Sequence, residues 1–167
     1  FPDSVTMQQV PDMNYATIAT VTMAFEKGSM QKYEDALNFF VSRNSHFAIT
    51  SCTWSHRKWD NVSPDGHELL RVYIGRVGDE SIVELPDSEI EKIVLQDLER
   101  AVGLNASPLL TTVARWKEAM PQYTIGHESR MSTMKEQFYQ EFPNVYLTGS
   151  SYEGISIPDC VFQGRTT

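Results

Sequence analysis

The chain has 167 residues, enough for one domain with a hydrophobic core. Its 14 basic and 22 acidic residues give a formal net charge of −8 at pH 7, and no basic cluster is interleaved with aromatic residues. This balance argues against a nucleic-acid partner and against a surface that binds anionic membranes. The two cysteines, Cys52 and Cys160, fit neither a disulfide framework nor a metal-binding spacing. We therefore expect a reducing, cytoplasmic location.

The first half of the chain has the pattern of a β-sheet. Residues 1–13 are polar and contain two prolines, which predicts a lead-in loop. Residues 15–25 are rich in β-branched side chains and nearly uncharged, as in a buried strand whose odd-numbered residues, from Tyr15 to Met23, share one face. After a polar loop, further strands are predicted at 37–41, 47–54 and 69–77. Four strands joined by short connections favour an antiparallel sheet.

The clearest helix in the sequence covers residues 88–102. Ser88 and Glu91 have the spacing of a capping box, and Gly103 follows as a residue that typically ends a helix. An apolar stripe at helical spacing is formed by Ile90, Ile93, Val94, Leu98 and Val102. We expect this helix to cover one face of the sheet.

The side-chain pattern predicts a further strand at residues 109–116 and a second helix at residues 128–142. On that helix Met131, Met134 and Phe138 recur at helical spacing, which is typical of core residues. The expected fold class is therefore α+β: a mostly antiparallel sheet with helices packed on one side.

The last stretch of the chain, residues 144–164, has a different pattern. A short apolar run at 145–147 predicts a strand, and a loop with glycines follows. Pro158 and Asp159 are residues that helices favour in their first turn. A strand, a glycine-rich loop and a helix N-terminus would present backbone N–H groups to a ligand carrying negative charge. By its spacing alone, this stretch fits a tight turn without any ligand better than a ligand-binding turn.

Four segments together resemble a known family. They are YLTGSSYEGISIPDC (146–160), RWKEAMPQYTIGH (115–127), SCTWSHRKWD (51–60) and ELLRVYIGRVGDE (68–80). Nearly the whole chain resembles the C-terminal part of protoporphyrinogen oxidases, and most closely the Gram-positive bacterial type that oxidises coproporphyrinogen III. The family usually carries glycine where this chain has Ser156.

The resemblance implies an FAD-dependent enzyme in haem biosynthesis that oxidises coproporphyrinogen III or protoporphyrinogen IX with O2 as acceptor. It implies that Trp116, Gly154, Ile155, Ser156 and Ile157 contact the flavin, although the position of Trp116 alone would suggest a core residue. No catalytic residue is assigned, because the cofactor carries the redox chemistry.

The resemblance also implies an arrangement within a longer, two-domain FAD-dependent oxidase. Residues 1–143 would form part of the substrate domain, and residues 144–167 would form a strand, loop and helix that return to the FAD-binding domain. The chain lacks the Gly-x-Gly-x-x-Gly fingerprint, so we expect a fragment that is inactive by itself. A peripheral contact with the cell membrane would come from a region outside the chain.

Other functions stay open at this stage. A related flavin amine oxidase would share the loop and helix, and a porphyrin-binding module without catalysis would share the substrate. A metal site is not expected, because no two of the four histidines have the i, i+4 spacing of a ligand pair on a helix. His127 is instead expected to have a structural role.

Overall fold

The computed structural model describes residues 13–30 and 35–167, so most of the predicted lead-in loop lies outside the described residues. The described elements, in chain order, are β1 (Tyr15–Glu26), β2 (Asn38–Phe40), β3 (Ile49–Trp54), α1 (Ser55–Lys58), β4 (His67–Ile74), a 3-10 helix (Ser81–Glu84), α2 (Asp87–Val102), β5 (Leu110–Pro121), α3 (His127–Glu141) and α4 (Ile157–Thr166). The described chain divides into two compact units, one within residues 16–120 and the other of residues 121–167 together with residues 13–15. We call them the sheet unit and the C-terminal unit.

The sheet unit contains one five-stranded antiparallel sheet in the order β2-β3-β4-β1-β5. β4 is central and pairs with β1 on one side and with β3 on the other, both antiparallel. β5 runs antiparallel along β1, since the N–H of Leu109 donates to the carbonyl of Ala24 and that of Gln122 donates to the carbonyl of Asn14. The α+β fold class predicted from the sequence is confirmed.

One face of the sheet is packed under α2. Every second residue of β1 from Ala19 to Phe25 is fully buried, as is every second residue of β4 from Leu70 to Ile74. From α2, the same cluster receives Ile90, Val94 and Leu98. The predicted faces of β1 and α2 are thus confirmed over most of their length. Tyr15 and Thr17, which were predicted on the buried face, are not buried because the core cluster begins only at Ala19.

The start of α2 differs from the predicted capping box. The helix begins at Asp87, its N-cap is Pro86, and no side chain caps it. Ser88 therefore lies inside the first turn, where its hydroxyl cannot serve as the N-cap acceptor. The predicted end is confirmed, because Gly103 adopts a left-handed conformation with φ of 71° and donates its N–H to the carbonyl of Glu99.

A buried carboxylate on α2 forms hydrogen bonds with the backbone at the start of β3. Asp97 accepts hydrogen bonds from the backbone N–H groups of Ala48 (2.7 Å) and Ile49 (3.2 Å), and it also pairs with Arg100 at 3.1 Å. Only 4% of Asp97 is exposed, so its charge is stabilised by these donors. Hydrophobic periodicity does not detect such a contact, and the sequence analysis missed it.

The C-terminal unit contains α3 and α4. Met131, Met134 and Phe138 are buried on α3, which confirms them as core residues. The strand predicted at residues 145–147 is wrong. In the described chain this segment pairs with no strand of the sheet, and Val145 and Tyr146 are exposed. A three-residue apolar run lacks the buried face and the ladder partner that a strand needs. The domain boundary after residue 143 stays a prediction.

The position of Leu98 in the core predicts a large loss of stability on truncation. Leu98→Ala should lower the free energy of unfolding by roughly 2–5 kcal/mol, through lost burial and the cavity left behind. Its exposed neighbour provides a control, and Glu99→Ala should stay within about 0.5 kcal/mol of the parent. Denaturant unfolding of both variants measures the difference. Equal losses would contradict the orientation of α2.

Asp97 gives a second prediction of a different physical kind. Asp97→Ala removes the acceptor of two buried N–H groups, and each hydrogen bond to a charged group contributes roughly 1.5–3 kcal/mol. We expect unfolding free energy to fall by about 3 kcal/mol, and hydrogen exchange at Ala48 and Ile49 to accelerate. The exposed neighbour Gln96→Ala is the matched control. Unchanged exchange at those two amides would show that Asp97 does not hold them.

Candidate flavin-binding segments

The start of α4 is closed by a reciprocal pair of hydrogen bonds. Ser156 is the N-cap, with extended backbone (φ −79°, ψ 155°), and its hydroxyl oxygen accepts a bond from the N–H of Asp159 at 3.2 Å. In return, the Asp159 carboxylate accepts from the N–H of Ser156 at 3.1 Å and from its hydroxyl. This is a capping box. The predicted helix start is thus confirmed, with Pro158 in its first turn.

The capping box also sets the protonation of Asp159. Hydrogen bonds from the Ser156 hydroxyl and then from the Ser156 N–H lower the pKa of this carboxyl below its usual value. Since the pKa is lower in the folded state, the box stabilises the unit above the ordinary pKa of the carboxyl. This stabilisation is lost as the pH falls through the lowered value.

One backbone donor of this turn remains for a ligand. Three residues near the bend could supply free donors, namely Ser156, Ile157 and Asp159. The capping box uses the N–H groups of Ser156 and Asp159, and Pro158 has none. The N–H of Ile157 has no acceptor among the described residues, and its side chain is 82% exposed. The helix end therefore offers Ile157 N–H as its free donor.

The loop before α4 is shaped by a glycine and a glutamine. Gly154 has φ of 70°, and a Cβ at this position would lie 2.6 Å from the Asp159 side chain. Glycine is therefore required for the capping box to close. Gln163, which is buried, accepts from the N–H of Gly149 at 3.0 Å and donates to the carbonyl of Glu153. The sequence analysis missed Gln163, whose only signal is a polar residue on the inner face of α4.

His127 has the structural role that the sequence predicted. It is buried at the start of α3, its Nε2 lies 2.9 Å from the carbonyl oxygen of Tyr152, and its ring stacks on Tyr123 with 3.9 Å between centroids. Tyr123 in turn donates its hydroxyl to the carbonyl of Ser150 at 2.5 Å. These contacts hold the loop that ends at Gly154. A cavity of about 800 Å³ lies here, lined by residues between Tyr123 and Ser132 and between Tyr152 and Gly154.

Trp116 lies in the sheet unit, on β5, and is not a core residue. Its indole is 52% exposed, and its Nε1 donates to the Thr20 hydroxyl at 3.3 Å. This bond places the ring on the face of the sheet opposite to α2, since Thr20 alternates with the buried residues of β1. The aromatic surface of Trp116 is therefore available to a planar ligand.

Three other kinds of site receive no support. No group of three or more metal-ligating side chains occurs among residues 13–30 and 35–167. Within the same ranges, the helices are all too short or too polar to cross a membrane. Burial raises the pKa of the Cys52 thiol to about 12, which makes it unreactive. Cys160 is half-buried in the first turn of α4, its sulfur 3.9 Å from the Gly154 carbonyl oxygen.

Comparison with known proteins gives a family. Residues 4–167 match the family described as flavin containing amine oxidoreductase. A coproporphyrinogen III oxidase from Bacillus subtilis is 45% identical over 95% of this chain, and one from Staphylococcus aureus is 35% identical over 92%. These alignments cover 34% and 33% of the two relatives, so the chain spans about a third of their length.

Solved structures agree with the sequence relatives. A crystal structure assigned as a protoporphyrinogen oxidase, from Exiguobacterium sp. 255-15, superposes with a TM-score of 0.80 at 32% identity. The match covers 99% of this chain and 36% of that one. A reduced UDP-galactopyranose mutase matches with a TM-score of 0.66 over 83% of this chain and 28% of its own, at 12% identity, which shows a shared fold alone. The chain belongs to the flavin-containing amine oxidoreductases, the FAD-dependent family whose members include the coproporphyrinogen III oxidases.

Proposed function

We propose that this chain is part of an FAD-dependent oxidase that converts coproporphyrinogen III to its porphyrin in haem biosynthesis. The observation that carries the proposal is the identity of 45% and 35%, over more than nine-tenths of the chain, to two coproporphyrinogen III oxidases. A protoporphyrinogen oxidase from Arabidopsis thaliana is only 19% identical over a similar span. In this proposal O2 is the electron acceptor, and protoporphyrinogen IX is the rival substrate.

The start of α4 fits the cofactor. An exposed helix N-terminus with one free donor, Ile157 N–H, suits the pyrimidine edge of an isoalloxazine ring, where negative charge develops on reduction. When bound, FAD supplies the acceptor of hydride from the porphyrinogen. The chain's own part is to orient that ring and to stabilise its charge. Ile155 and Ser156 are proposed to lie along the ring, with Gly154 shaping the approach through the capping box.

Trp116 is proposed as a second flavin contact. Its support is the exposed indole, held in one orientation by the bond from Nε1 to Thr20. A fixed aromatic surface can exclude water from one side of a ligand at little entropic cost. This contact and the one at α4 belong to different compact units of the chain, and each has its own geometric support.

The arrangement of the whole protein is also part of the proposal. Residues 1–143 are assigned to the substrate domain and residues 144–167 to a segment that returns to the FAD-binding domain. We assign the enzyme to the cytoplasm, with peripheral membrane contact through a region outside this chain. The supporting observation for the cytoplasm is that Cys52 and Cys160 are both free thiols.

The full-length enzyme should oxidise coproporphyrinogen III with a higher kcat/KM than protoporphyrinogen IX. Porphyrin fluorescence under air measures both rates, and hydrogen peroxide release identifies O2 as the acceptor. A faster reaction with a primary amine would instead indicate an amine oxidase. The isolated 167-residue chain is the control. Without the Gly-x-Gly-x-x-Gly fingerprint it should bind no FAD and oxidise neither porphyrinogen, and a flavin spectrum after desalting would contradict this.

The free donor at α4 predicts a specific effect on flavin reduction. In the full-length enzyme, Ile157→Pro removes the N–H, whereas Ile157→Ala keeps it. Proline is compatible with this position, because it is the first of the helix and Ser156 already has the extended backbone that a following proline requires. A hydrogen bond to a charged group contributes roughly 1.5–3 kcal/mol, so reduction should slow by about ten- to a hundredfold.

The measurement is stopped-flow reduction, expressed per bound flavin, because the proline could also alter FAD occupancy. Ile157→Ala controls for lost side-chain packing. If the proline variant retained its flavin and reduced it as fast as the alanine variant, the start of α4 would not stabilise the reduced ring.

A further inference from the structure

The face of the sheet opposite to α2 carries an arginine without a partner. We call this surface the open face and define it by the strand residues that alternate with the core. Near its centre it comprises Thr20, Thr22, Thr53, Arg71, Tyr73 and Trp116. Arg71 lies on β4, the central strand, directly opposite Thr22 of β1 and Thr53 of β3. It is exposed, whereas its neighbours Leu70 and Val72 are fully buried on the core side.

Most arginines of this chain donate hydrogen bonds to acceptors within it, and Arg71 donates none to a described residue. Six of the eight donate to protein acceptors in the described chain, and they are Arg43, Arg57, Arg76, Arg100, Arg115 and Arg130. Arg71 has no hydrogen bond or ion pair with any described residue. The second arginine without such a partner is Arg165, at the end of α4. Arg165 differs from Arg71 because it lies in a terminal helical turn, where an exposed cation is common.

The residues directly opposite Arg71 on the two adjacent strands are uncharged. On the adjacent strands its neighbours are threonines, and the nearest acidic strand residue of β1 on the same face is Glu26. Glu26 lies four residues beyond Thr22, about 13 Å at 3.3 Å per residue. In a chain of net charge −8, Arg71 therefore has no carboxylate opposite it on either adjacent strand. Its guanidinium keeps its donors available for an anion from outside the chain.

Trp116 is on the same face. It adjoins Thr20, and Thr20 is opposite Tyr73, which is two residues from Arg71 on β4. Two strand spacings and two residues along the strand separate Trp116 from Arg71, about 12 Å by sheet geometry. A macrocycle with propionate arms spans such a distance, so a porphyrinogen held at Arg71 can reach the flavin that Trp116 is proposed to contact.

We propose that Arg71 is a substrate-binding residue that binds a propionate carboxylate of the porphyrinogen. The inference rests on the proposed function. Coproporphyrinogen III carries a propionate on every pyrrole ring, and protoporphyrinogen IX keeps propionates on two of its four rings. Arginine is suited to the task because its planar fork donates two parallel hydrogen bonds to a carboxylate. The threonines beside it would keep the guanidinium in place without competing as anions.

The test uses the full-length holoenzyme with steady-state kinetics on coproporphyrinogen III. Arg71→Met keeps the aliphatic stem and removes the charge, and the KM should rise about ten- to a hundredfold with kcat within about twofold, as expected for lost uniform binding. Arg71→Lys keeps the charge but not the fork, so the KM should rise less, about three- to tenfold. Arg165→Met alters the other arginine that has no partner among the described residues; it is the matched control and should leave KM unchanged.

Two further measurements separate binding from folding and from the proposed function. Dissociation constants for coproporphyrin III, and for its fully methylated ester, are measured by fluorescence. Arg71→Met should weaken the acid about tenfold or more and leave the ester unchanged, while flavin content and melting temperature stay at parent values. An unchanged KM for the acid substrate, or equal weakening of acid and ester, would overturn the assignment of Arg71. A parent enzyme that oxidised no porphyrinogen would instead refute the proposed function itself.

Discussion

The sheet unit depends on the burial of one face of its central strands under α2. In β1 and β4 the buried residues are every second one, from Ala19 to Phe25 and from Leu70 to Ile74. Because strand side chains alternate strictly, burying one set fixes where the other set points. A shift of one residue would move Arg71 into the core and Val72 to the surface, at the cost of a buried, unpaired charge. The core therefore determines the position of the open-face residues of β1 and β4, including Arg71.

At the start of α4, hydrogen bonds rather than packing determine which backbone N–H groups remain free. A helix begins with several N–H groups that have no partner within the helix. Here the capping box takes those of Ser156 and Asp159, and Pro158 removes a third. What remains is one donor at one position. A single donor of this kind gives directional selection for a ligand atom, whereas several free donors would bind any anion that approached.

Periodicity predicted the α+β fold, the orientation of α2 and the core residues of α3, because long amphipathic segments leave a strong pattern in the sequence. The apolar run at 145–147 is too short to show such a pattern, and its three apolar residues were equally compatible with an extended surface segment. The contacts of Asp97 and Gln163 could not be predicted, since each joins a side chain to backbone groups that are distant in sequence. For the site, sequence pattern located the helix start, but not which of its donors would be free.

Ser156 is where this chain departs from the glycine that is usual in the family it resembles, and the structure gives that departure a consequence. The Ser156 hydroxyl is the group that accepts from Asp159 N–H, so a glycine there would leave this donor free. The Asp159 carboxylate would keep only the backbone bond from residue 156, and its pKa would be lowered less. A turn with glycine at position 156 thus offers N–H donors at both 157 and 159. In this turn the free donor is Ile157 N–H alone, and Asp159 is held as an anion beside it. Any charge that develops on a ligand at this point is stabilised by fewer donors and opposed by a nearby carboxylate. In the proposed flavin contact, Ile157 N–H would therefore carry a larger share of the interaction than the same group would carry beside a glycine.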